Sequence, residues 1–294
     1  MQILTLWHET KIALDTPSVY IVAVSGGVDS MVLLDVLAKQ TQQKLVVAHV
    51  HHGIRAESDE EYAFVRAAAA RYGAQFEGIH LQLGEHASEA TAREKRYAFL
   101  RSVAQKWQGT LVVAHHQDDV IETIALQLQR GTGWRGIAAM GASDIWRPLI
   151  WYPKATLLRY ANEIGLEWRE DVTNHEPTYA RNRLRPHVAS LSQEKKDELL
   201  VLWHQQCLLR EAIDEEASVM RTRQRYFYQT APLAAAQEVL RSTLLALDVA
   251  CTRPQLQAIL LAIKVARPHA RYSLDDQRFL SFSKTEFTLI KTKK

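Results

Sequence analysis

Short apolar segments alternate with helix-like segments through the first 150 residues of this 294-residue chain. The apolar segments are residues 20–24, 44–50 and 110–115, with a weaker one at 76–83. Strands that alternate with helices at this spacing form a parallel sheet with helices on both faces. The sequence therefore predicts an α/β fold, and ligands of such sheets bind beyond the carboxyl ends of the strands.

The pattern changes in the second half of the chain. A long charged segment without glycine or proline predicts a linker helix over about residues 192–227. Two amphipathic helical segments and three strand-like segments follow it. We therefore expect an α/β domain over residues 1–200 and a smaller, mainly helical domain over residues 201–294.

A turn with two adjacent glycines joins strand to helix in YIVAVSGGVDSMVLLDVL. Adjacent glycines let backbone N–H groups converge, and the following helix adds the positive end of its dipole. The turn therefore predicts a phosphate site, although it carries neither the lysine of a G-x-x-x-x-G-K-[ST] loop nor the spaced glycines of G-x-G-x-x-G. A glycine turn that is merely capped by serine or aspartate is the alternative. The candidate residues are Ser25, Gly26, Gly27, Val28, Asp29 and Ser30.

Two carboxylates follow the apolar segment TLVVAH. Asp119 and Glu122 are three residues apart, which places them on one face of a helix. Together they could bind a cationic substrate. The alternative is an aspartate favoured by the helix dipole beside a solvated glutamate.

Histidines cluster at the ends of two predicted strands. They are His49, His51, His52, His115 and His116. A zinc site is disfavoured because no H-x-x-x-H pair or cysteine completes a ligand shell. Hydrogen bonding to a nucleotide, or to the edge of the sheet, is the preferred interpretation. Asp29 with Asp118 or Asp119 could instead hold Mg²⁺ against phosphate oxygens.

Arginines concentrate in two segments, RNRLR and REKRYAFL. The first supplies Arg181, Arg183 and Arg185, and the second supplies Arg93 and Arg96. Guanidinium groups bind phosphate and carboxylate through paired hydrogen bonds. A solvated basic surface is the alternative for both segments.

Composition excludes some classes of protein. The two cysteines, Cys207 and Cys251, lack C-x-x-C spacing, so neither a disulfide framework nor a cysteine zinc site is expected. The net charge of +3 permits a nucleic-acid partner without requiring one. No basic N-terminal region or apolar window of 18 residues is found, so we expect a cytoplasmic protein without a signal peptide or membrane span.

The order of motifs resembles one family, the tRNA(Ile)-lysidine synthetases of the N-type ATP pyrophosphatase (PP-loop) superfamily. The resemblance spans residues 20–187 and departs at Val120, where family members often carry glutamine. The C-terminal part resembles the family's first C-terminal domain, and the chain looks too short for the second. The motifs are SGGVDS, HVHHGIR-x-ES, REKRYAFL, AHHQDDVIET, QRGTGWRGIAAM, RPLI and ED-x-TN…RN-x-LR.

The resemblance implies an enzyme that cleaves ATP between its α and β phosphates. AMP would be transferred to the wobble cytidine of a tRNA(Ile) with a CAU anticodon, and free L-lysine would displace it to give lysidine. ATP and Mg²⁺ are then required, residues 1–200 form the catalytic domain, and residues 201–294 contact tRNA. A homodimer is compatible with this assignment.

The resemblance also implies roles for individual residues. The turn from Ser25 to Ser30 would hold ATP with His51, and Asp29 would serve Mg²⁺ or pyrophosphate. Asp119, Glu122 and Arg185 would bind lysine. The catalytic set is Asp29, Arg93, Arg96, Asp119 and Glu122, and the tRNA-binding set is Arg181, Arg183 and Arg185.

Three other functions fit parts of the sequence. A tRNA thiolase of the same superfamily would activate a similar base, but that chemistry usually needs a cysteine, and both cysteines lie outside the catalytic half. A metal-dependent phosphohydrolase could use the histidines and aspartates. A non-catalytic RNA-binding module would not need the carboxylates that follow the strands.

Overall fold

The computed structural model describes residues 18–51, 57–81, 89–141, 144–169 and 180–291. The chain divides into two compact units, residues 1–203 and 204–294. No helix within the described ranges is long and apolar enough to cross a membrane.

The first unit contains a five-stranded sheet. Its strands are β1 (Val19–Ala23), β2 (Lys44–His51), β3 (Gln75–His80), β4 (Thr110–Val112) and β5 (Ile145–Trp146). Its helices are α1 (Val28–Gln40), α2 (Glu57–Arg71), α3 (Glu89–Trp107), α4 (Gln117–Gln129), α5 (Trp134–Ile137), α6 (Lys154–Glu163) and α7 (Ala180–Ala189). Helix α8 (Gln193–Val219) contains the division between the units.

All pairings in this sheet are parallel, in the order β3-β2-β1-β4-β5. Side chains of a strand alternate between the two faces of the sheet, so β1 contributes to the hydrophobic core on each face. Val22 packs with residues of α1, α2 and α6, while Ile21 packs on the other face with Leu100 and Val103 of α3. The predicted parallel sheet with helices on both faces is confirmed. The central position of β1 brings the carboxyl ends of β2 and β4 to either side of the glycine turn.

The second unit combines helices with a small antiparallel sheet. Its core includes Tyr228, Leu240, Ile259 and Phe287. The remaining elements are α9 (Arg225–Thr230), α10 (Leu233–Leu245), α11 (Arg253–Val265), β6 (Arg271–Ser273), β7 (Arg278–Phe282) and β8 (Phe287–Lys291). The predicted contact of this unit with tRNA stays a prediction.

The linker helix predicted over about residues 192–227 is wrong at its C-terminal end. Helix α8 stops at Val219, and α9 begins separately at Arg225. Arg225 is buried, and its guanidinium donates hydrogen bonds to the carbonyls of Ile263, Ala266 and Ser283. Its backbone N–H donates to a loop carbonyl as well. These tertiary bonds override the local helical pattern.

A buried carboxylate ties α1 to its neighbours. Asp35 accepts hydrogen bonds from the hydroxyls of Tyr72 at 2.8 Å and Tyr160 at 2.6 Å. Lys39 adds an ion pair at 2.9 Å. Burial, reinforced by the hydrogen bond to Asp35, raises the pKa of both tyrosines, so they remain donors at neutral pH. Helix α6 is therefore fixed against α1.

Replacing Asp35 by Ala should lower the free energy of unfolding by about 3 kcal/mol, because two buried hydroxyls lose their acceptor. Tyr160→Phe should cost only about 1 kcal/mol, since it removes one donor without exposing a charge. Urea titration followed by circular dichroism measures both. Glu163→Ala, which removes an exposed carboxylate of α6, is the control. Equal stabilities of Asp35→Ala and Glu163→Ala would contradict the anchoring role.

Candidate active site

A cavity of about 760 Å³ opens at the carboxyl edge of the parallel sheet. Its wall includes the turn after β1, the end of β2, residues 113–116 after β4, and parts of α3, α4, α6 and α7. This volume lies within the range of small-molecule sites. The site therefore lies where the order of the strands predicts it.

The glycine turn is held in shape by one serine. Ser30 accepts hydrogen bonds from the N–H groups of Ser25 and Gly26, both at 3.2 Å, and donates to the carbonyl of Gly27 at 2.8 Å. Gly26 has a φ of +96°, a conformation that side-chain-bearing residues rarely adopt. The second glycine is the N-cap residue of α1. The backbone conformation therefore accounts for a glycine at position 26.

The start of α1 leaves donors directed toward the cavity. The first intrahelical bond runs from the N–H of Met31 to the carbonyl of Gly27. The N–H groups of Val28, Asp29 and Ser30 precede it, so no helical carbonyl can accept from them. With the helix dipole behind them, these groups can bind an anionic phosphate. Of the six predicted turn residues, all except Gly26 line the cavity.

Asp29 is paired with a lysine that the sequence analysis missed. The Nζ atom of Lys154 lies 2.5 and 2.6 Å from the two carboxylate oxygens of Asp29. Lys154 is the first residue of α6, where the helix dipole disfavours a cation. Proline favours the start of a helix, so a basic residue directly after Pro153 was the signal that could have identified it.

Asp118 is engaged from two sides. Its Oδ2 accepts the backbone N–H of Lys154 at 2.8 Å, and its Oδ1 accepts Lys196 Nζ at 2.7 Å. Burial by itself would raise the pKa of Asp118, but these hydrogen bonds and the nearby positive charges outweigh it and hold the pKa below its usual value. Asp118 therefore joins α4, α6 and the start of α8. Lys196 was also missed, and it too is a cation in the first turns of a helix.

Asp119 and Glu122 both line the cavity, as their helical spacing predicts. Asp119 accepts the backbone N–H of His116 at 3.0 Å and so caps the start of α4. Glu122 is not a solvated residue, because only 5% of its side chain is exposed. Its Oε1 lies 3.5 Å from Nε of Arg185. The two carboxylates thus differ, one stabilising its own helix and the other facing an arginine of α7.

Only some of the predicted arginines line the cavity. Arg96 and Arg185 line the cavity. Arg93 and Arg183 are exposed and do not line it, and the guanidinium of Arg93 lies over the ring of Tyr97. The side chain of Arg181 lies outside the described residues.

The histidines have different environments. His49 is buried, and its Nδ1 lies 2.7 Å from the carbonyl of Val24, which ties β2 to the glycine turn. His116 Nε2 lies 3.5 Å from Asp119 and 3.8 Å from Asp29. His51 and His115 line the cavity. His52 lies outside the described residues.

Residues 131–136, GTGWRG, match the spacing G-x-G-x-x-G. They follow helix α4, whereas the dinucleotide fingerprint follows a strand. None of the six lines the cavity. The segment therefore does not form a second nucleotide-binding turn.

Comparison with protein families gives one match that covers most of the chain. A family model described as a PP-loop domain matches residues 2–192. A solved structure of the U34-tRNA thiolase NcsA from Methanococcus maripaludis, with its [4Fe-4S] cluster, superposes with a TM-score of 0.60 at 15% identity. It covers 71% of this chain and 79% of the thiolase. At this identity the likeness concerns the fold alone.

Curated relatives share more sequence. The chain is 41% identical to tRNA(Ile)-lysidine synthase of Exiguobacterium sibiricum over 181 residues, which are 59% of this chain and 43% of the relative. It is 40% identical over 182 residues to the protein of the same name from Thermus thermophilus, covering 60% of this chain and 36% of the relative. The matched part thus spans less than half of these relatives.

Replacing Lys196 by Met should lower the free energy of unfolding by about 3 kcal/mol at pH 7, because Asp118 loses a buried partner. Since the native pKa of Asp118 is depressed, the stability that its charge contributes is present above pH ~4 and is lost as the pH falls through the native pKa. The difference between wild type and variant should therefore shrink below pH ~4. Urea titrations at pH 7 and pH 3 measure it, and a constant difference would exclude Asp118 as the partner.

Proposed function

The chain belongs to the PP-loop domain family, and from this we propose that it uses ATP to join free L-lysine to the wobble cytidine of a CAU-anticodon tRNA(Ile). One observation carries the proposal. One cavity is lined both by the glycine turn, which can bind phosphate, and by the buried carboxylate of Glu122, which faces Arg185. The first suits ATP and the second suits an amino acid with charges of both signs. The names of the curated relatives support the same reaction.

In the first step, the C2 oxygen of the cytidine attacks the α-phosphorus and the α–β phosphate bond breaks. Pyrophosphate leaves and AMP remains on the base. The N–H groups at the start of α1 bind the leaving phosphates, and the ammonium of Lys154 offsets their growing charge. Lys154 is paired with Asp29, so its ammonium is positioned beside the proposed phosphate site.

Asp29 is the carboxylate best suited to hold Mg²⁺. Its side chain is 29% exposed, compared with 12% for Asp118 and 17% for Asp119. Asp29 is paired with the side chain of Lys154, which is 36% exposed and can move aside. Asp118 is instead bonded to a backbone N–H and to the nearly buried Lys196, and Asp119 caps α4. Mg²⁺, when bound, would neutralise charge on the phosphate oxygens.

In the second step, the ε-amine of lysine attacks C2, AMP leaves and the amine loses a proton. The guanidinium of Arg185 suits the carboxylate of free lysine. The carboxylates of Glu122 and Asp119 suit its ammonium groups. His116 and Asp119, 3.5 Å apart, are the proton acceptors of this part of the cavity. The residues therefore orient lysine and receive its proton.

We assign tRNA binding to helix α7 and to the second unit. Arg183 is exposed on α7, while Arg185 of the same helix reaches the cavity. Arginines with this arrangement can bind the phosphate backbone beside the reacting cytidine.

The alternatives are less well supported. Sulfur transfer is disfavoured because the chain has two cysteines and neither lines the cavity. Hydrolysis by a metal bound to Asp118 and Asp119 is disfavoured because Asp118 is held by a backbone N–H and the nearly buried Lys196, while Asp119 caps α4. A purely RNA-binding role leaves the buried Glu122 unexplained.

The reaction is tested with purified protein, ATP, Mg²⁺, labelled lysine and tRNA(Ile) transcripts. We expect label in the CAU transcript, and AMP and pyrophosphate formed in equal amounts. A transcript with a GAU anticodon is the control and should remain unlabelled. Hydrolysis of ATP without tRNA, or sulfur incorporation in place of lysine, would contradict the proposal.

Replacing Glu122 by Gln should reduce lysine affinity by about ten- to a hundredfold, because a charge-assisted hydrogen bond contributes about 1.5–3 kcal/mol. Exchange of pyrophosphate into ATP in the presence of tRNA should continue. High lysine concentrations should partly restore lysine incorporation. The two assays are run on one preparation.

Lys154→Met is the matched counterpart, since it keeps the apolar stem and removes the charge on the phosphate side. It should lower pyrophosphate exchange about a hundredfold without changing the KM for lysine. If both variants lose both activities equally, the division of the cavity into a phosphate part and a lysine part is wrong.

A further inference from the structure

Three side chains with metal-binding atoms meet beside the cavity. His51 ends β2, Asp59 lies in the first turn of α2, and His80 ends β3. One donor atom from each lies within 4.8 Å of the other two. Of the five histidines considered from the sequence, only His51 belongs to this group, and Asp59 and His80 were not considered there.

The register of the sheet accounts for the pair of histidines. His51 and His80 are direct partners in the parallel pairing of β2 with β3, so their side chains share one face. Their ring centroids are 4.3 Å apart. The ring of Tyr62 lies 4.7 Å from that of His80 and limits its orientation. The two imidazoles are thus arranged by the backbone and by packing before any ion binds.

The distances suit a small transition-metal ion. His51 Nε2 lies 3.1 Å from Asp59 Oδ1. Neighbouring ligand atoms of a tetrahedral ion with bonds of about 2.0–2.1 Å are about 3.3 Å apart. Two imidazoles with one carboxylate favour zinc-class ions over Mg²⁺ and Ca²⁺, which prefer oxygen ligands. A direct ion pair between His51 and Asp59 without metal is the competing arrangement.

Solvent reaches this group of residues because the three side chains differ in burial. His51 is 7% exposed, whereas the Asp59 side chain is 80% exposed and His80 is also exposed. An ion can therefore enter from solvent, and three protein ligands leave a position for water. An ion held here would exchange with solvent and would not be required for folding.

We propose that His51, Asp59 and His80 bind one divalent ion of the zinc class. The ion links the ends of β2 and β3 to the first turn of α2. Because His51 also lines the cavity, this link fixes one wall of the candidate active site. The proposal does not depend on the reaction proposed above.

The test uses the full chain, treated with a chelator and then desalted. Calorimetric titration with Zn²⁺ should give one ion per chain, and Co²⁺ should produce the visible absorption of a nitrogen- and oxygen-ligated ion. His80→Ala and Asp59→Asn should each weaken Zn²⁺ binding by more than about tenfold, because each removes one ligand. His187→Ala, which removes an exposed histidine of α7, is the matched control and should bind as wild type does.

Thermal melts establish that the variants are folded. Binding that is unchanged in both His80→Ala and Asp59→Asn would overturn the proposal. So would wild-type protein that fails to bind Zn²⁺. A further variant, His116→Ala, tests the histidines inside the cavity. Loss of binding in His116→Ala but not in His80→Ala would place the ion elsewhere and also overturn the proposal.

Discussion

Helix α1 is bonded to helix α6 at two levels, and the site depends on this pairing. Asp29 meets Lys154 at one level, and Asp35 meets Tyr160 at the other. The two contacts are six residues apart in each helix and follow the same order, so the two helices run side by side in the same direction. Asp35 is buried in an apolar core, where an unpaired carboxylate is costly, so its contact with Tyr160 is strongly favoured. The deeper contact therefore sets the position of the outer one, which lies at the candidate active site.

Three carboxylates of the cavity wall are each paired with a cation. Asp29 faces Lys154, Asp118 faces Lys196 and Glu122 faces Arg185. These pairs differ in burial, and burial separates their roles. The Asp118–Lys196 pair is almost enclosed and acts as a joint between helices. The Asp29 and Arg185 groups are more exposed, so in the proposed reaction phosphates or a carboxylate would exchange with the existing partner.

Two of the ion pairs in the cavity, Asp29–Lys154 and Asp118–Lys196, could not be predicted from the sequence. Lys154 lies 125 residues from Asp29, and Lys196 lies 78 residues from Asp118. Only the packing of α6 and α8 against the sheet brings them together. The same limit applies to His51 and His80, whose proximity follows from strand register. The sequence did predict that Asp119 and Glu122 share a helix face, because they lie within one helical turn of each other.

The sequence by itself determined the parallel sheet, the glycine turn and the edge at which the site lies, because each follows from periodicity or from a short local motif. The PP-loop family was also readable from the order of motifs. Tertiary structure decided which of the candidate groups face the cavity: Arg96 and Arg185 do, while Arg93 and Arg183 remain in solvent. It also ended α8 at Val219 and began α9 at Arg225, whose guanidinium donates to the carbonyls of Ile263, Ala266 and Ser283. Side-chain partners across long sequence separations are chosen by packing and burial, which local patterns do not encode.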